Sequence, residues 1–385
     1  MDYGQEAIVQ HRASRGKVSI APKMKVETLE DLSIAYTPGV ASVCMAIAED
    51  KSESYQLTNR ANTVAVITDG SAVLGLGNIG PEAAMPVMEG KSILFKNLAG
   101  VDAIPICLDS QDNDTIIRTV RALAPSFGGI NLEDIAAPRC FEIEDALQDL
   151  GIPVFHDDQH GTAIAVLAAV INSLNVTGRR IEDTKFVFSG AGAGGIASTK
   201  LLLDYGAQNI TLVDSTGIIQ RDRTNLTPVK TSMLDTTNRD NLSGSLSDAL
   251  DGADVFIGLS VAEAVTPEMV SSMARDAIVF AMANPIPEIM PSSARDAGAR
   301  VVGTGRSDFP NQINNSLVFP GVFRGALDAH ATRVSTKMKL AAAEALAELV
   351  KEPTAENVIP WSLDREVPQA VAQATAKGWR DENPG

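Results

Sequence analysis

Positive charge is scarce in this chain. Against 48 aspartates and glutamates stand 32 lysines and arginines in 385 residues, a formal net charge of -16 with a pI near 4.7. Nucleic acid and anionic membrane surfaces are therefore disfavoured as main partners, since both would be repelled. A small anionic substrate stays admissible, because local cations outweigh a global field at short range. Cysteine is rarer still: Cys44, Cys107 and Cys140 show no metal-ligand spacing and suit a reducing compartment. No uninterrupted apolar run reaches the roughly 18 residues that a bilayer span needs. The opening MDYGQEAIVQHRASRGKVSI lacks an apolar signal core, so a cytoplasmic protein is expected. Internal repeats, low-complexity tracts and long linkers are missing as well. The length favours two domains, and 45% apolar content supplies the cores.

What is present centres on residues 131–163, NLEDIAAPRCFEIEDALQDLGIPVFHDDQHGTA. An acid pair, Glu133 and Asp134, precedes a predicted helix and then a buried strand, Ile152 to Phe155. That strand runs directly into a second pair, Asp157 and Asp158, and the apolar AIAVLAAVINSL beyond reads as a buried helix. Two acid pairs at the carboxyl ends of successive strands converge on one crevice, where α/β sheets hold ligands. Carboxylates that close repel one another unless a cation lies between them, and oxygen-only ligands favour Mg2+ or Mn2+. Taken singly, LED is equally a helix start, where acids suit the dipole. A zinc site on His156 and His160 would need a helix to bring the two together, whereas this context reads as a strand end and turn.

Upstream, Thr37-Pro38-Gly39 marks a turn before a helical stripe. Tyr36, just before it, is one of only four tyrosines, and a lone tyrosine is ordinarily a packing residue. Val64 to Ile67 reads as a strand, and the first GxGxxG, Gly75 to Gly80, is a weak match without a following strand–turn–helix unit. Lys91 is expected to open the helix SILFKNLAG, with both Lys91 and Lys96 solvated by default. Strands and helices then alternate, which implies a mostly parallel sheet covered by helices.

The second glycine motif is stronger. KFVFSGAGAGGIASTKLLLDYGAQNITLVD places a strand before Gly190, Ala191, Gly192, Ala193, Gly194 and Gly195, then a helix, then a strand ending in Asp214. Asp214 lies 24 residues beyond Gly190, near the spacing of a ribose-binding carboxylate. The glycines admit a pyrophosphate to a helix N-terminus. Asp214 favours NAD over NADP by repelling a 2′-phosphate, while Lys230, Arg221 and Arg223 downstream pull the other way. Asn284 after a buried strand, and Asn314-Asn315 before LVFPGVF, stand at crevice positions, though such asparagines often only cap turns.

Together these residues resemble the malic enzyme family in its short bacterial form. The resemblance is carried by AYTPGVA (35–41), TDGSAVLGLGNIG (68–80), MEGK (88–91), NLED (131–134), VFHDDQHGTA (154–163), SGAGAGG (189–195), MANPIPE (282–288) and INNSLVFPG (313–321). It implies an α/β fold: an N-terminal α/β domain over 1–155, then a doubly wound Rossmann-type dinucleotide domain with C-terminal helices over 156–385. It implies oxidative decarboxylation of L-malate to pyruvate and CO2 with NAD(P)+ and Mg2+ or Mn2+, by a homo-oligomer, most simply a dimer. Position by position, it implies metal ligands at Glu133, Asp134 and Asp158, a general base at Lys91 assisted by Asp157, and a general acid at Tyr36. Substrate contacts fall on Lys91, Asn284 and Asn315, with Asn314 as an alternative amide. One departure stands out: longer members carry an arginine at the position of Ala72, so the grip on the malate carboxylates differs here.

The chemistry is consistent with those roles. Hydride loss from C2 requires a base at the C2 hydroxyl; burial and a nearby cation are expected to lower the lysine pKa into range. Protonation at C3 needs a donor neutral at physiological pH, which tyrosine supplies. A malolactic enzyme, giving lactate without net NADH, is the nearest rival. An amino-acid dehydrogenase would leave the four acids unexplained, and a nonenzymatic dinucleotide sensor would not need Tyr36, Lys91 and the ligand set.

Overall fold

The computed structural model describes residues 3–73 and 75–384; Leu74 of the TDGSAVLGLGNIG motif lies outside them. Three helices, Tyr3–Ser14, Leu29–Ala35 and Val40–Glu49, come first and bury no residue.

The first sheet contains β1 (Thr63–Thr68), β2 (Asp102–Cys107), β3 (Gly129–Leu132) and β4 (Val154–His156), in the order β2-β1-β3-β4 with every pairing parallel. Continuous burial of TVAVIT and GINL explains why these strands read as unbroken apolar runs. Asn131 pairs with Phe155 and Leu132 with His156, so both acid pairs leave adjacent strand ends. The second sheet contains β5 (Lys185–Ser189), β6 (Asn209–Asp214), β7 (Gly217–Ile218), β8 (Val255–Gly258), β9 (Ile278–Ala281) and β10 (Val301–Thr304). Its order is β10-β9-β8-β5-β6-β7, parallel except for the β6–β7 ribbon. Strand order reverses at β5, the doubly wound topology that opens a crevice beyond that strand.

Helix Asp157–Thr177 joins the two sheets. Apolar side chains from Ala163 to Val170 are buried on every face of it, within one core cluster that takes in strands of both sheets. By length and composition it could span a membrane, with a mean hydropathy of 1.3, as could the stretch Leu29–Glu49. Neither stretch contains an uninterrupted apolar run of that length, as expected, but both pass on average composition. The long helix is instead 67% buried within the protein and starts with two acids, as a core helix can.

Two expectations change. Residues 157–160 form the first helical turn rather than an irregular one. Helix Pro81–Ala99 runs unbroken through Pro86 and Gly90, so Lys91 lies in its middle. Tertiary packing overrides both breakers there, because Ala84, Met88, Lys91, Ser92 and Phe95 form one buried stripe at helical spacing.

Candidate active site

Lys91 occupies that stripe with an apolar stem and a charged tip, and it is not solvated as expected. Its Nζ donates to Asp157 Oδ2 at 2.5 Å and lies 2.9 Å from Glu133 Oε1 and 4.4 Å from the centre of the Phe319 ring. Burial alone would lower its pKa, but the carboxylates of Asp157, Glu133 and Asp158 outweigh that and raise it. The expected lowering is thus reversed in the protein alone, for three acids act on one ammonium. Lys96, by contrast, is exposed and pairs with Asp102 at 2.6 Å.

Glu133 follows β3 and is almost wholly buried; it accepts from Asn131 Nδ2 at 2.9 Å. Burial pushes its carboxyl well above the ordinary range, against the pull of Lys91, and the charges of Asp158, Asp157 and Asp134 add to the rise. Asp157 is likewise driven up to about 7, chiefly by burial. Asp134 has a left-handed backbone (φ 53), and its N–H donates to Asp158 Oδ2 at 2.8 Å. One oxygen each from Glu133, Asp134 and Asp158 lie within 4.8 Å of one another. This oxygen-only set, carrying more negative charge than Lys91 can offset, fits a hard divalent cation. Neither histidine joins it: His160 is engaged elsewhere, and His156 is sealed in the core.

Gly161 makes room for the Lys91–Asp157 pair. A Cβ there would fall 1.9 Å from Asp157 Oδ1 and 3.1 Å from Asn315 Cβ, so Asn315 flanks the cluster. Asn314 uses its side-chain oxygen to cap Ser316 N–H at 2.9 Å. Asn284 is exposed, and its carbonyl packs onto Gly75, where a Cβ would lie 2.4 Å away. The first glycine motif therefore packs against the Asn284 loop. Tyr36 is not gathered in: it is 66% exposed, and its hydroxyl bonds none of these groups.

The dinucleotide motif adjoins the acid cluster. Gly192 precedes helix Ala193–Tyr205, and Gly190 has φ 109 with Leu259 O at 2.3 Å from any added Cβ, so only glycine serves there. A Cβ on Gly194 would meet Asp158 O at 3.2 Å, which sets the two helix starts side by side. Beyond lies a cavity of about 600 Å³ lined by Ser189, Gly190, Ala191, Asp214, Thr216 and Ser260 among others. Asp214 accepts five hydrogen bonds: from Arg223 at 2.9 and 3.0 Å, Lys230 at 2.7 Å, and Thr216 N and Oγ1 at 3.0 and 2.8 Å. Burial opposes its ionisation, yet Arg223, Lys230 and Thr216 hold its carboxyl far below the ordinary range.

Two groups escaped notice in the sequence. Glu144, 5% exposed, accepts from His156 N at 3.0 Å and Gln159 Nε2 at 3.0 Å, and contacts His160 Nε2 at 3.0 Å. Lys339 Nζ lies 3.1 Å from His160 Nδ1 and 3.5 Å from Nε2. The signal was a lone acid on the buried stripe Cys140, Ile143, Glu144, Leu147. Arg139 pairs with buried Asp69 at 2.5 Å and with Ser71 Oγ at 2.9 Å, bracing the loop that carries Ala72.

Residues 15–148 match the family model of the malic enzyme N-terminal domain, and residues 159–378 that of the malic enzyme NAD binding domain. The chain is 56% identical over 381 residues to a bifunctional malic/malolactic enzyme of Bacillus subtilis, covering 98% of this chain and 93% of that protein. It is 47% identical over 397 residues to an NADP-dependent malic enzyme of Rhizobium meliloti, covering 97% of this chain and 51% of that one. Among solved structures, the NAD-dependent malic enzyme of Thermotoga maritima superposes with a TM-score of 0.93 at 48% identity, covering 96% and 98% of the two chains.

Proposed function

Because this chain belongs to the malic enzyme family, we propose that it oxidises and decarboxylates L-malate to pyruvate and CO2 with reduction of NAD(P)+. The observation that carries this is Lys91, bonded to Asp157 and Glu133 beside three convergent carboxylates and next to the dinucleotide glycines. Glu133, Asp134 and Asp158 would hold Mg2+ or Mn2+, which supplies Lewis-acid polarisation of the substrate oxygen at C2.

The chain's own residues move the protons. A cation held by Glu133, Asp134 and Asp158 would offset the carboxylate charge that keeps Lys91 protonated, and Lys91, once neutral, would take the proton from the C2 hydroxyl as hydride leaves for the nicotinamide. Asp157, pushed up to about 7, is matched to relay that proton and lies 2.5 Å from Nζ. Asn315 and Asn284 orient the dicarboxylate without adding charge.

Tyr36 delivers the proton to C3, and it does so from a second copy of the chain. Its segment exposes Ile20, Met24, Leu29, Leu32 and Ile34 together with Tyr36 itself, apolar surface that a partner would cover. A homodimer follows, with one domain over 1–155 and the other over 156–385. Five donors saturate Asp214, so its repulsion of a 2′-phosphate is cancelled by Arg223 and Lys230; NAD+ is used and NADP+ accepted. Free Cys44, Cys107 and Cys140 suit the cytoplasm.

A second reading, malolactic conversion to lactate, is favoured by the name of the Bacillus subtilis relative. Anaerobic turnover of L-malate with NAD+ or NADP+ and Mn2+ tests both. Pyruvate with stoichiometric NAD(P)H is expected. Lactate without net NADH would establish the second reading, and no product would overturn both.

A further inference from the structure

His156 ends β4 with a wholly buried side chain, among neighbours as closed off as Phe155 and Val154. Its backbone N–H is satisfied by Glu144, but neither ring nitrogen has a hydrogen-bond partner. A leucine would fill such a position without taking polar atoms out of water. An imidazole there forfeits hydration at both nitrogens, and a buried polar group left unpaired calls for a reason. A carboxylate stands nearby: Nδ1 lies 3.8 Å from Asp158 Oδ2, less than an ångström beyond a hydrogen bond. The same oxygen accepts the Asp134 N–H at 2.8 Å. Carboxylates that ligate metals are themselves oriented by donors behind them.

We propose that His156 is a positioning residue for the cation site: through an Nδ1–H it donates to the Asp158 carboxylate and fixes that ligand's orientation. The unmet hydrogen-bonding capacity of the ring is then held in reserve for the loaded site. This inference rests on the proposed role of Asp158 as a metal ligand. It predicts opposite effects of one substitution on stability and on metal affinity, a pattern that packing alone does not produce.

The test measures the Mn2+ dissociation constant by calorimetry, and the melting temperature in chelator, for the full chain and three variants. His156→Leu should melt at or above the wild type while binding Mn2+ about 10- to 100-fold more weakly. His156→Asn, which keeps an N–H near the Nδ1 position, should recover most of that affinity. Wild-type Mn2+ affinity in His156→Leu would overturn the proposal. If His156→Leu fails to fold, His156→Asn decides: weak binding in a folded protein overturns it, and near-wild-type binding supports it. Asp158→Asn separates the two levels. If it too binds Mn2+ normally, the metal reading fails; if it alone loses Mn2+, only the role of His156 fails.

Discussion

Gly161→Ala should damage catalysis while barely touching stability. The position lies inside helix Asp157–Thr177, where glycine costs about 0.8–1.0 kcal/mol relative to alanine. On propensity alone, alanine is the better residue. Residue 157 is four places earlier and on the same helical face, and its carboxylate folds over the glycine. An added Cβ would lie 1.9 Å from Asp157 Oδ1 and 3.0 Å from Asp157 Cγ, distances at which one group must move. Asn315 Cβ, at 3.1 Å, closes off the other side. The carboxylate must therefore swing by roughly 1 Å, a displacement that costs on the order of 10²-fold when it affects reacting groups. The 2.5 Å bond to Lys91 breaks with that swing. We expect kcat/KM for malate to fall about 10²-fold, or about 2.7 kcal/mol, with a melting temperature within a few degrees of the wild type. Gly90→Ala is the control, one residue from Lys91 but with nothing within 4 Å of its added Cβ; it should stay active and melt higher. Steady-state NAD(P)H formation and thermal melts of both variants suffice. Full activity in Gly161→Ala would refute the proposed Lys91–Asp157 proton pair.

Mixing Tyr36→Phe with Lys91→Ala subunits tests donation between copies: each is inactive alone, and random dimers should regain about a quarter of wild-type activity by symmetry. No recovery after confirmed subunit exchange would return Tyr36 to its own chain. Lys230→Ala removes the 2.7 Å partner of Asp214 and should raise the NAD+/NADP+ ratio of kcat/KM about tenfold, the scale of one charge-assisted hydrogen bond; an unchanged ratio excludes Lys230 from 2′-phosphate recognition. Burial would raise the Glu144 carboxyl, yet His160, His156 and Lys339 bring it to about 2 from an ordinary 4.5. A depressed folded value means that this contribution is present above pH 4.5 and is lost as pH falls toward 2. Between pH 5.5 and 3.5, urea unfolding should therefore show Glu144→Gln losing roughly 1 kcal/mol less stability than the wild type; parallel curves would count against it.

Legibility in the sequence follows the range of the interaction. The acid pairs of β3 and β4, the glycine turn after β5 and the buried helix beyond Asp158 are written in neighbouring residues, and the structure places them as read. The burial of Lys91 is not legible, because a lysine in an apolar stripe looks the same whether its tip snorkels to water or meets Asp157, 66 positions away. Its pKa escapes the sequence for a related reason: three carboxylates act on it together, and no short motif reports their sum. Glu144 stayed hidden because its donors come from the start of the next helix rather than its own. The long helix passes a hydropathy test for a membrane span because hydropathy counts side chains without asking what covers them, and here both sheets contribute to the cover. Tyr36 is the extreme case. Its motif AYTPGVA is local and readable, but the single chain leaves its ring exposed, and in the proposed homodimer the surface that completes its setting would lie on another copy of the same sequence. A residue's chemistry can thus be read from its motif while its location is set by symmetry, and that is why the subunit-mixing experiment, rather than any further substitution within one chain, decides where the acid acts.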